Sequence, residues 1–259
     1  MIRRRDDREL EKMHQANAIV LRTLDVLKHA LEPGITTAEL DRIAAAEIAR
    51  EGAAPAFKGY RGFPACLCVS VNDEVVHGIP SPRRRLEEGD IVSLDLGAIV
   101  DGYFGDNAIT AGVGKIEPDL EKLLAVAEAA MFRGIEASKP GNRISDIGFA
   151  IATYVETHGY SVVQEFVGHG IGRALHEDPP VPNFVQAGRD PKLTAGMCLA
   201  IEPMVNSGER HVKTLSDRWT VVTMDGSSSA HFERSVAITD SGPWILAESR
   251  AVFEGVKIV

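Results

Sequence analysis

The sequence is poor in cysteine, in basic residues and in long apolar runs. Its 259 residues contain three cysteines and no CxxC pair, which argues for reduced thiols rather than disulfides or a zinc ribbon. No apolar run approaches the length of about 18 residues that spans a bilayer, so we expect no transmembrane helix and no membrane partner. With 28 Lys and Arg against 37 Asp and Glu, the net charge is −9, which makes binding to DNA or other nucleic acids a poor expectation.

What is present is the composition of an ordinary globular chain. Hydrophobic residues make up 44% and charged residues 25% of the sequence, which suffices for a sizeable core. The positively charged start, 1–9, is not followed by the apolar stretch of a signal peptide, and we expect a cytoplasmic protein. At about 100 to 200 residues per domain, the length allows one large domain or two small ones.

An internal repeat at an offset of 107 residues bears on that choice. Pro-Gly at 33–34 recurs at 140–141, in each case after a predicted helix. The pattern Leu-x-x-Gly, followed six residues later by an acidic residue, also occurs twice and ends at Asp95 and at Glu202. Repeats of this kind indicate two units of the same structural plan.

Each repeat unit reads as two helices followed by strands. The half-units cover approximately 7–110 and 117–240, and together they predict one duplicated domain over residues 1–259. Helices followed by strands indicate an α+β fold in which antiparallel sheets carry helices on one face. Helices are predicted over 7–31, 38–51, 118–138 and 146–158, and strands over 66–76, 89–99, 162–167 and 197–205.

Two aspartates interrupt apolar strand sequence in the first half. Asp95 lies within the apolar run 91–100, although aspartate is disfavoured in strands. Asp-Gly at 101–102 predicts a two-residue hairpin turn, and the resulting register pairs Asp106 with Gly97. Asp95 and Asp106 are then diagonal neighbours on one face, about 7 to 8 Å apart at the backbone. We expect Gly97 to leave the space between them open for a cation.

Two glutamates occupy similar positions in the second half. Glu202 precedes Pro203 and ends a predicted strand. Glu233 lies in the alternating run 230–238, where it shares one strand face with His231. Four carboxylates in apolar strands, two of them related by the repeat, predict a metal site rather than solvated strand faces.

Three histidines lie in glycine-containing loops that resemble ligand-binding segments. His77 precedes a glycine, and His169 and His176 lie in the glycine-rich run 167–178. Flanking glycines let the backbone approach closely and leave the imidazole free to face a ligand. Oxygen ligands combined with imidazole suit Mn, Fe, Co or Zn more than Ca or Mg. Other isolated histidines are expected to be structural: His14, His29, His158 and His211.

These motifs together resemble the type I methionine aminopeptidases of the pita-bread fold. The resemblance extends from Glu9 to Leu246 and is carried, in order, by 68–80, 89–106, 168–176, 201–204 and 232–233. It implies two pseudo-symmetric αα-ββ halves whose antiparallel sheets enclose a dinuclear metal site. It also implies two divalent ions, Co, Mn, Fe or Zn, with the ligands Asp95, Asp106, His169, Glu202 and Glu233.

The resemblance implies an activity as well. Hydroxide held by the two ions would attack the first peptide carbonyl and release the initiator methionine from nascent polypeptides whose second residue is small. Glu202 would accept the proton of the attacking water, and His77 and His176 would act beside the scissile amide as catalytic and substrate-binding residues. The methionine side chain would occupy an apolar pocket formed by Tyr60, Phe63, Cys68 and Trp219.

The implied partners are the N-termini of nascent chains, at the ribosome, and we expect a monomer. Two other functions stay open. One is an Xaa-Pro aminopeptidase or dipeptidase of the same fold, a group that usually carries an added N-terminal domain. The other is a pita-bread protein that has lost its metals and only binds partners, although such a protein would lack the ligands. Arg61, Leu175 and Arg234 depart from the family pattern and bear on substrate preference rather than on metal binding.

Overall fold

In the computed structural model, which describes residues 1–249, two pairs of helices pack against one face of a curved antiparallel sheet. The first helix starts with a capping box, since the Asp6 carboxylate accepts from the Glu9 N–H (2.9 Å) and the Glu9 carboxylate accepts from the Asp6 N–H (3.1 Å). The reciprocal bonds satisfy two backbone donors that a helix start leaves free. The helices are α1 (Asp7–His29), α2 (Thr37–Arg50), α3 (Pro118–Ala137) and α4 (Ile144–Thr157), each within two residues of its predicted ends.

Within residues 1–249, nine strands form a central sheet, and six others form two small sheets of three strands. The central sheet contains β1 (Ala54–Pro55), β2 (Leu67–Val71), β4 (Ile91–Val100), β5 (Tyr103–Gly112), β7 (Gly168–Gly170), β8 (Glu177–Val181), β9 (Cys198–Ile201), β14 (Glu233–Thr239) and β15 (Gly242–Ile245). The second sheet contains β6 (Ser161–Val162), β10 (Met204–Asn206) and β13 (Ser229–His231), and the third contains β3 (Glu74–Val76), β11 (Val212–Thr214) and β12 (Val221–Thr223).

The central sheet runs β1-β4-β5-β14-β9-β7-β8, with β2 also beside β4 and β15 beside β14. The strand pairs β4–β5 and β9–β14 therefore lie near its middle, and the β5–β14 contact joins the two halves of the chain. The predicted α+β class with antiparallel strands is confirmed. Within residues 1–249, no helix combines the length and the apolarity needed to cross a bilayer.

The 107-residue repeat is visible in backbone hydrogen bonds at equivalent places. The Gly34 N–H donates to the Leu86 carbonyl (2.7 Å), and the Gly141 N–H donates to the Leu193 carbonyl (3.0 Å). Both glycines have a φ of 98°, a left-handed conformation that side chains rarely adopt. The same turn therefore follows the first helix of each half, and it is hydrogen-bonded to the segment that precedes β4 in the first half and β9 in the second.

Each helix pair covers its own apolar core. In the first half, Leu24 and Leu40 pack with Leu94 of β4. In the second half, Met131 and Ile151 pack against the strands β9 and β14. Because successive strand residues point to opposite faces, the residues that alternate with this helix-facing set lie on the sheet face away from the helices.

The hairpin register predicted around the Asp-Gly turn is confirmed. Asp106 lies opposite Gly97, and Asp95 lies opposite Ala108. The role expected for Gly97 was wrong, because a Cβ at this position would lie 2.8 Å from atoms of Ala56 and Phe57. The glycine admits the neighbouring chain segment, which fills the space directly above it.

The strand predicted over 66–76 is two strands that belong to different sheets. Between the end of β2 at Val71 and the start of β3 at Glu74, Asn72 adopts a left-handed φ of 58°. Asparagine tolerates this conformation better than most residues, and its side-chain oxygen accepts from the Ile91 N–H (3.0 Å). The prediction was wrong because an apolar run does not reveal a short turn within it.

Three other predicted strands are also shorter or interrupted. The run 162–167 contributes only the end of β6, and the chain continues as a loop to β7. The run 197–205 breaks at 202–203, where proline has no N–H for a strand ladder, and the run 230–238 breaks at Phe232. At the first break the chain passes from the central sheet into the second sheet, and at Phe232 it passes back into the central sheet.

The register is continuous across these two breaks. Arg234 lies opposite Ile201 in the central sheet, and the pairing of β10 with β13 in the second sheet keeps the same alignment. Glu202 and Glu233 therefore face each other at the point where both strands change sheets.

Candidate metal centre and peptide pocket

The candidate site lies on the sheet face away from the helices, where three neighbouring strands align. Ala108 of β5 lies opposite Asp95 of β4 on one side and opposite Glu233 of β14 on the other. Asp106 precedes Ala108 by two residues and so points to the same face. The strand register alone therefore collects three of the four predicted carboxylates.

His169 faces these carboxylates from β7. Its Nδ1 lies 3.0 Å from the Gly170 carbonyl oxygen, which can only accept, so Nδ1 carries the proton and Nε2 presents a lone pair. Nε2 lies 3.8 Å from Asp106 Oδ2 and 3.4 Å from Glu202 Oε1. One ligand atom each from Asp106, His169 and Glu233 lie within 4.8 Å of one another.

Glycine next to His169 makes this approach possible. A Cβ at Gly168 would lie 2.3 Å from the Ala200 carbonyl oxygen of β9, so only glycine allows β7 to pack this closely. A Cβ at Gly170 would lie 2.2 Å from the carbonyl oxygen of Asp178. The glycine-rich segment places the imidazole because its backbone is held between two neighbouring strands.

Burial disfavours the ionised form of each of the four carboxylates and therefore raises all four pKa values. The pKa of Asp95 rises to about 7 and that of Glu202 to about 8, and the pKa values of Asp106 and Glu233 rise well above their usual range. One carboxylate oxygen has no hydrogen-bond partner in Asp95, in Asp106 and in Glu233.

Buried acceptors without donors, beside an imidazole lone pair, are the donor set that a divalent cation satisfies. The residues present therefore fit a metal centre. The prediction from the sequence is supported in its coarse form, a buried Asp/His/Glu cluster, while the number and the identity of the ions belong to the proposal below.

A polar network that the sequence did not reveal supports Asp106 from behind. The side-chain oxygen of Asn17 in α1 accepts from the Asn107 amide (2.8 Å) and from the Asp106 N–H (3.2 Å). The Ser235 hydroxyl donates to the Asp106 carbonyl (2.8 Å). These bonds fasten α1, β5 and β14 together directly behind the carboxylates. A buried asparagine in an otherwise apolar helix face was the available signal.

His77 and His176 lie at the edge of the same cavity. His77 has a left-handed φ of 61°, and a Cβ on the following Gly78 would lie 2.1 Å from the Val69 carbonyl oxygen. Burial lowers the pKa of His77 to about 4. The His176 ring stacks near His169 (ring centroids 4.2 Å apart), and burial, followed by the charge of Arg61, lowers its pKa.

The four predicted pocket residues line this cavity together with the candidate ligands. Phe63 and Trp219 meet edge to face (centroids 5.1 Å apart), and Cys68 lies opposite Asp95 across β2 and β4. The Tyr60 hydroxyl lies 2.8 Å from His176 Nδ1. The pocket is therefore apolar on one side and adjoins the carboxylates on the other.

Further residues line the cavity that the sequence did not assign to the site. Phe166 packs against His77 (centroids 5.6 Å apart), and the exposed side chain of Arg61 reaches the cavity at its rim. His231 is 1% exposed, and its Nε2 lies 3.7 Å from Glu202 Oε2. The alternation of 230–238 had placed His231 on the face of Glu233, which was the signal for it.

Comparisons with known proteins agree with this site. The sequence model of metallopeptidase family M24 matches residues 11–240. The methionine aminopeptidase of Clostridium acetobutylicum is 54% identical over 246 residues, which are 95% of this chain and 98% of the relative. The methionine aminopeptidase of Escherichia coli is 40% identical over 239 residues, which are 92% and 90% of the two chains. The chain therefore belongs to metallopeptidase family M24.

Solved structures place it more narrowly within the family. The crystal structure of methionine aminopeptidase from Thermotoga maritima has a TM-score of 0.94 at 41% identity and covers 96% of this chain and 100% of that chain. The X-Pro aminopeptidase of Thermotoga maritima has a TM-score of 0.74 at 20% identity, and the match covers 62% of that chain, so it shares the fold alone. Within the family, the chain groups with the methionine aminopeptidases, and the predicted resemblance and pita-bread fold are confirmed.

Proposed function

We propose that this protein removes the N-terminal methionine from nascent polypeptides whose second residue is small. The observation that carries the proposal is the convergence of buried carboxylates and the His169 lone pair beside an apolar pocket lined by Phe63, Cys68 and Trp219. The catalytic centre and the side-chain pocket share one cavity, so a peptide that fills the pocket with its first side chain brings its first carbonyl to the carboxylates.

Five residues would hold two divalent ions, Co, Mn, Fe or Zn. Bound ions of this kind polarise a carbonyl and lower the pKa of a water toward about 7. Asp106, Glu233 and His169 would belong to one ligand cluster, since one ligand atom of each lies within 4.8 Å of the others. The proposed ligands are Asp95, Asp106, His169, Glu202 and Glu233.

Glu202 would accept the proton of the attacking water. Its Oε1 lies 3.4 Å from His169 Nε2, so a proton taken from the water would stay beside the centre until it passed to the leaving amine. The carboxylate lies at the break between β9 and β10, where a backbone without ladder hydrogen bonds leaves the side chain facing the cavity. No other proposed ligand has both a strand break at its position and a second imidazole beside it.

His176 would donate a hydrogen bond to the oxygen of the scissile carbonyl. With the Tyr60 hydroxyl donating its hydrogen bond to Nδ1, the proton of the neutral ring is on Nε2, where it is available to the substrate. The lowered pKa keeps the ring neutral at neutral pH, and a neutral donor stabilises a developing oxyanion. His77, held by its strained backbone and by Phe166, would contact the peptide nitrogen.

The pocket would select methionine by shape and by softness. Phe63, Cys68 and Trp219 offer apolar surface, with Tyr60 at the edge, and burial raises the pKa of the Cys68 thiol well above its usual range, so the sulfur stays uncharged. A flexible thioether fits such a surface. Each misplaced methylene costs about 1 to 3 kcal/mol, so selectivity is strong without being absolute. A large second residue would crowd the carboxylates.

The test is peptide release by protein stripped of metal and reloaded under reducing, anaerobic conditions with Mn, Fe, Co or Zn. We expect release of methionine from Met-Ala-Ser, slower release from Met-Leu-Ser, and no release of alanine from Ala-Pro-Ser. A preference for Ala-Pro-Ser would contradict the proposal in favour of an Xaa-Pro peptidase. Binding of ions without release from any of the peptides would favour a non-catalytic binding protein.

A further inference from the structure

His231 is a buried imidazole that the proposed chemistry does not use. It ends β13 and is 1% exposed, and neither ring nitrogen has a hydrogen-bond partner. A buried polar group without a partner costs free energy, about 1 to 3 kcal/mol in proteins. An imidazole that retains two such atoms is expected to meet a partner in the working state of the site.

The backbone of His231 is held firmly in place. Its N–H donates to the Thr110 hydroxyl oxygen, and the same hydroxyl donates to its carbonyl oxygen, both at 2.8 Å. Ser93, opposite Thr110 on β4, lies 2.8 Å from that hydroxyl. These two hydrogen bonds fix the backbone of His231 and so keep its ring beside the cavity.

His231 faces Glu202 and is also close enough to Asp95 for the two charges to interact. The two oxygens of the Glu202 carboxylate face two different imidazoles, since Oε1 lies 3.4 Å from His169 Nε2 and Oε2 lies 3.7 Å from His231 Nε2. His169 presents a lone pair there, because its proton is committed to a carbonyl at Nδ1. His231 has no such commitment, so its Nε2 can carry a proton and donate it.

We propose that His231 is a positioning residue, whose Nε2–H donates to Glu202 Oε2 and holds that carboxylate with Oε1 turned toward the ion shared with His169. The inference rests on the proposed function and deepens it. A hydrogen bond from outside the ligand set fixes the orientation of a ligand, and loss of such a bond commonly weakens metal binding or activity by about 10 to 100-fold.

The test compares His231→Ala, His231→Gln and wild type by calorimetric titration with Mn²⁺, by the visible absorption of the Co²⁺-loaded protein, and by steady-state release from Met-Ala-Ser. For His231→Ala we expect one of the two ions to bind about 10 to 100-fold more weakly, kcat to fall by a similar factor, and KM to change less than about threefold. For His231→Gln, whose amide can donate the same bond, we expect values within about fivefold of wild type. His211→Ala, an exposed histidine outside the site, is the matched control.

Each failure has its own pattern. Unchanged ion affinity, spectrum and kcat in a folded His231→Ala would overturn the inference. If Gln loses an ion as Ala does while both variants keep the thermal unfolding temperature of wild type, the imidazole itself is a ligand and the positioning role is wrong. If the wild type releases no methionine, the proposed function fails, whereas the ion titration still decides the role of His231.

Discussion

At the residue scale, hydrogen bonds to neighbouring groups give two of the imidazoles near the carboxylates, His169 and His176, opposite roles. His169 donates a hydrogen bond from Nδ1 to the Gly170 carbonyl, so its Nε2 offers a lone pair, as a metal ligand must. His176 has Nδ1 beside the Tyr60 hydroxyl, so it can offer an N–H, as a donor to a substrate oxygen must. Burial lowers the pKa of both rings, that of His169 to about 3, and both are neutral at neutral pH.

Replacing His176 therefore affects turnover and not metal content. We expect His176→Ala to retain the ions and to reduce kcat for Met-Ala-Ser by about 10² to 10⁴, the usual contribution of a positioned donor. Ion content measured by plasma mass spectrometry and steady-state kinetics check this prediction. His158→Ala, an exposed histidine at the end of α4, is the control, and a loss of ions in His176→Ala would assign the ring to the ligand set instead.

Replacing Asp106 has the opposite signature. Asp106→Asn keeps the shape but removes one of the crowded charges, so we expect turnover to be lost, ion content to fall, and the metal-free protein to unfold at a higher temperature than wild type. Each kcal/mol of relieved repulsion raises the unfolding temperature by about 2 to 4 °C in a chain of this size. Asp101→Asn on the same hairpin, exposed and left-handed at φ 50°, is the control. Full turnover in Asp106→Asn would refute this assignment.

At the scale of elements, the site depends on strands that stop pairing where ligands are needed. Glu202 and Glu233 face each other where β9 and β14 give way to the strands of the second sheet, and the β5–β14 ladder includes only Glu233 and Arg234. At this short ladder, Asn17 of α1 supplies hydrogen bonds that the sheet does not. A helix side chain thus takes over part of the role of a neighbouring strand.

Removing this side chain should loosen the sheet behind the carboxylates. Asn17→Ala removes the acceptor of the Asn107 amide, at a cost of about 1 to 3 kcal/mol for an unsatisfied buried group, whereas the Asp106 N–H keeps the Ser235 hydroxyl oxygen at 3.3 Å. We expect a lower free energy of unfolding in urea and weaker ion binding. Gln15→Ala on the exposed face of the same helix should change neither, and equal stability of the two variants would count against this role for Asn17.

Much of this arrangement could be predicted from the sequence, for reasons that are local. The Asp-Gly turn fixes the register of β4 and β5, and that register alone places Asp95 and Asp106 on one face. Pro203 also predicts the end of a strand at Glu202, but the break at Phe232 could not be predicted in this way, because it reflects a change of sheet. The roles of Asn17 and His231 were missed for a similar reason, since each depends on contacts between segments far apart in the chain.

At the scale of the whole molecule, the buried carboxylates of the site lower the stability of the metal-free fold. The folded-state pKa values of the four carboxylates lie above their ordinary values near 4. Between about pH 4 and pH 8 the folded, metal-free chain therefore holds protons that the unfolded chain has released. Its stability must fall as the pH rises through this window. Divalent ions remove the repulsion by holding the carboxylates ionised.

The stabilisation by ions should consequently depend on pH. We expect saturating Mn²⁺ to raise the unfolding temperature more at pH 8 than at pH 5.5, because protons compete with the ion at the lower pH. Differential scanning calorimetry with and without the ion at the two pH values measures this difference. The Asp106→Asn variant should show a smaller pH effect, and an increase that is equal at both pH values would mean that the ion binds elsewhere.

Both halves of the repeat contribute to the centre, since Asp95 and Asp106 come from the first and the other three proposed ligands from the second. If the two halves form one duplicated domain, as the sequence predicts, neither half would work alone.

The most direct test of this account is anomalous diffraction from crystals of the protein loaded with Mn²⁺, which locates each ion. We predict two peaks in the cavity, surrounded by Asp95, Asp106, His169, Glu202 and Glu233. An ion held by residues of one half only, or no ion in this cavity, would contradict it.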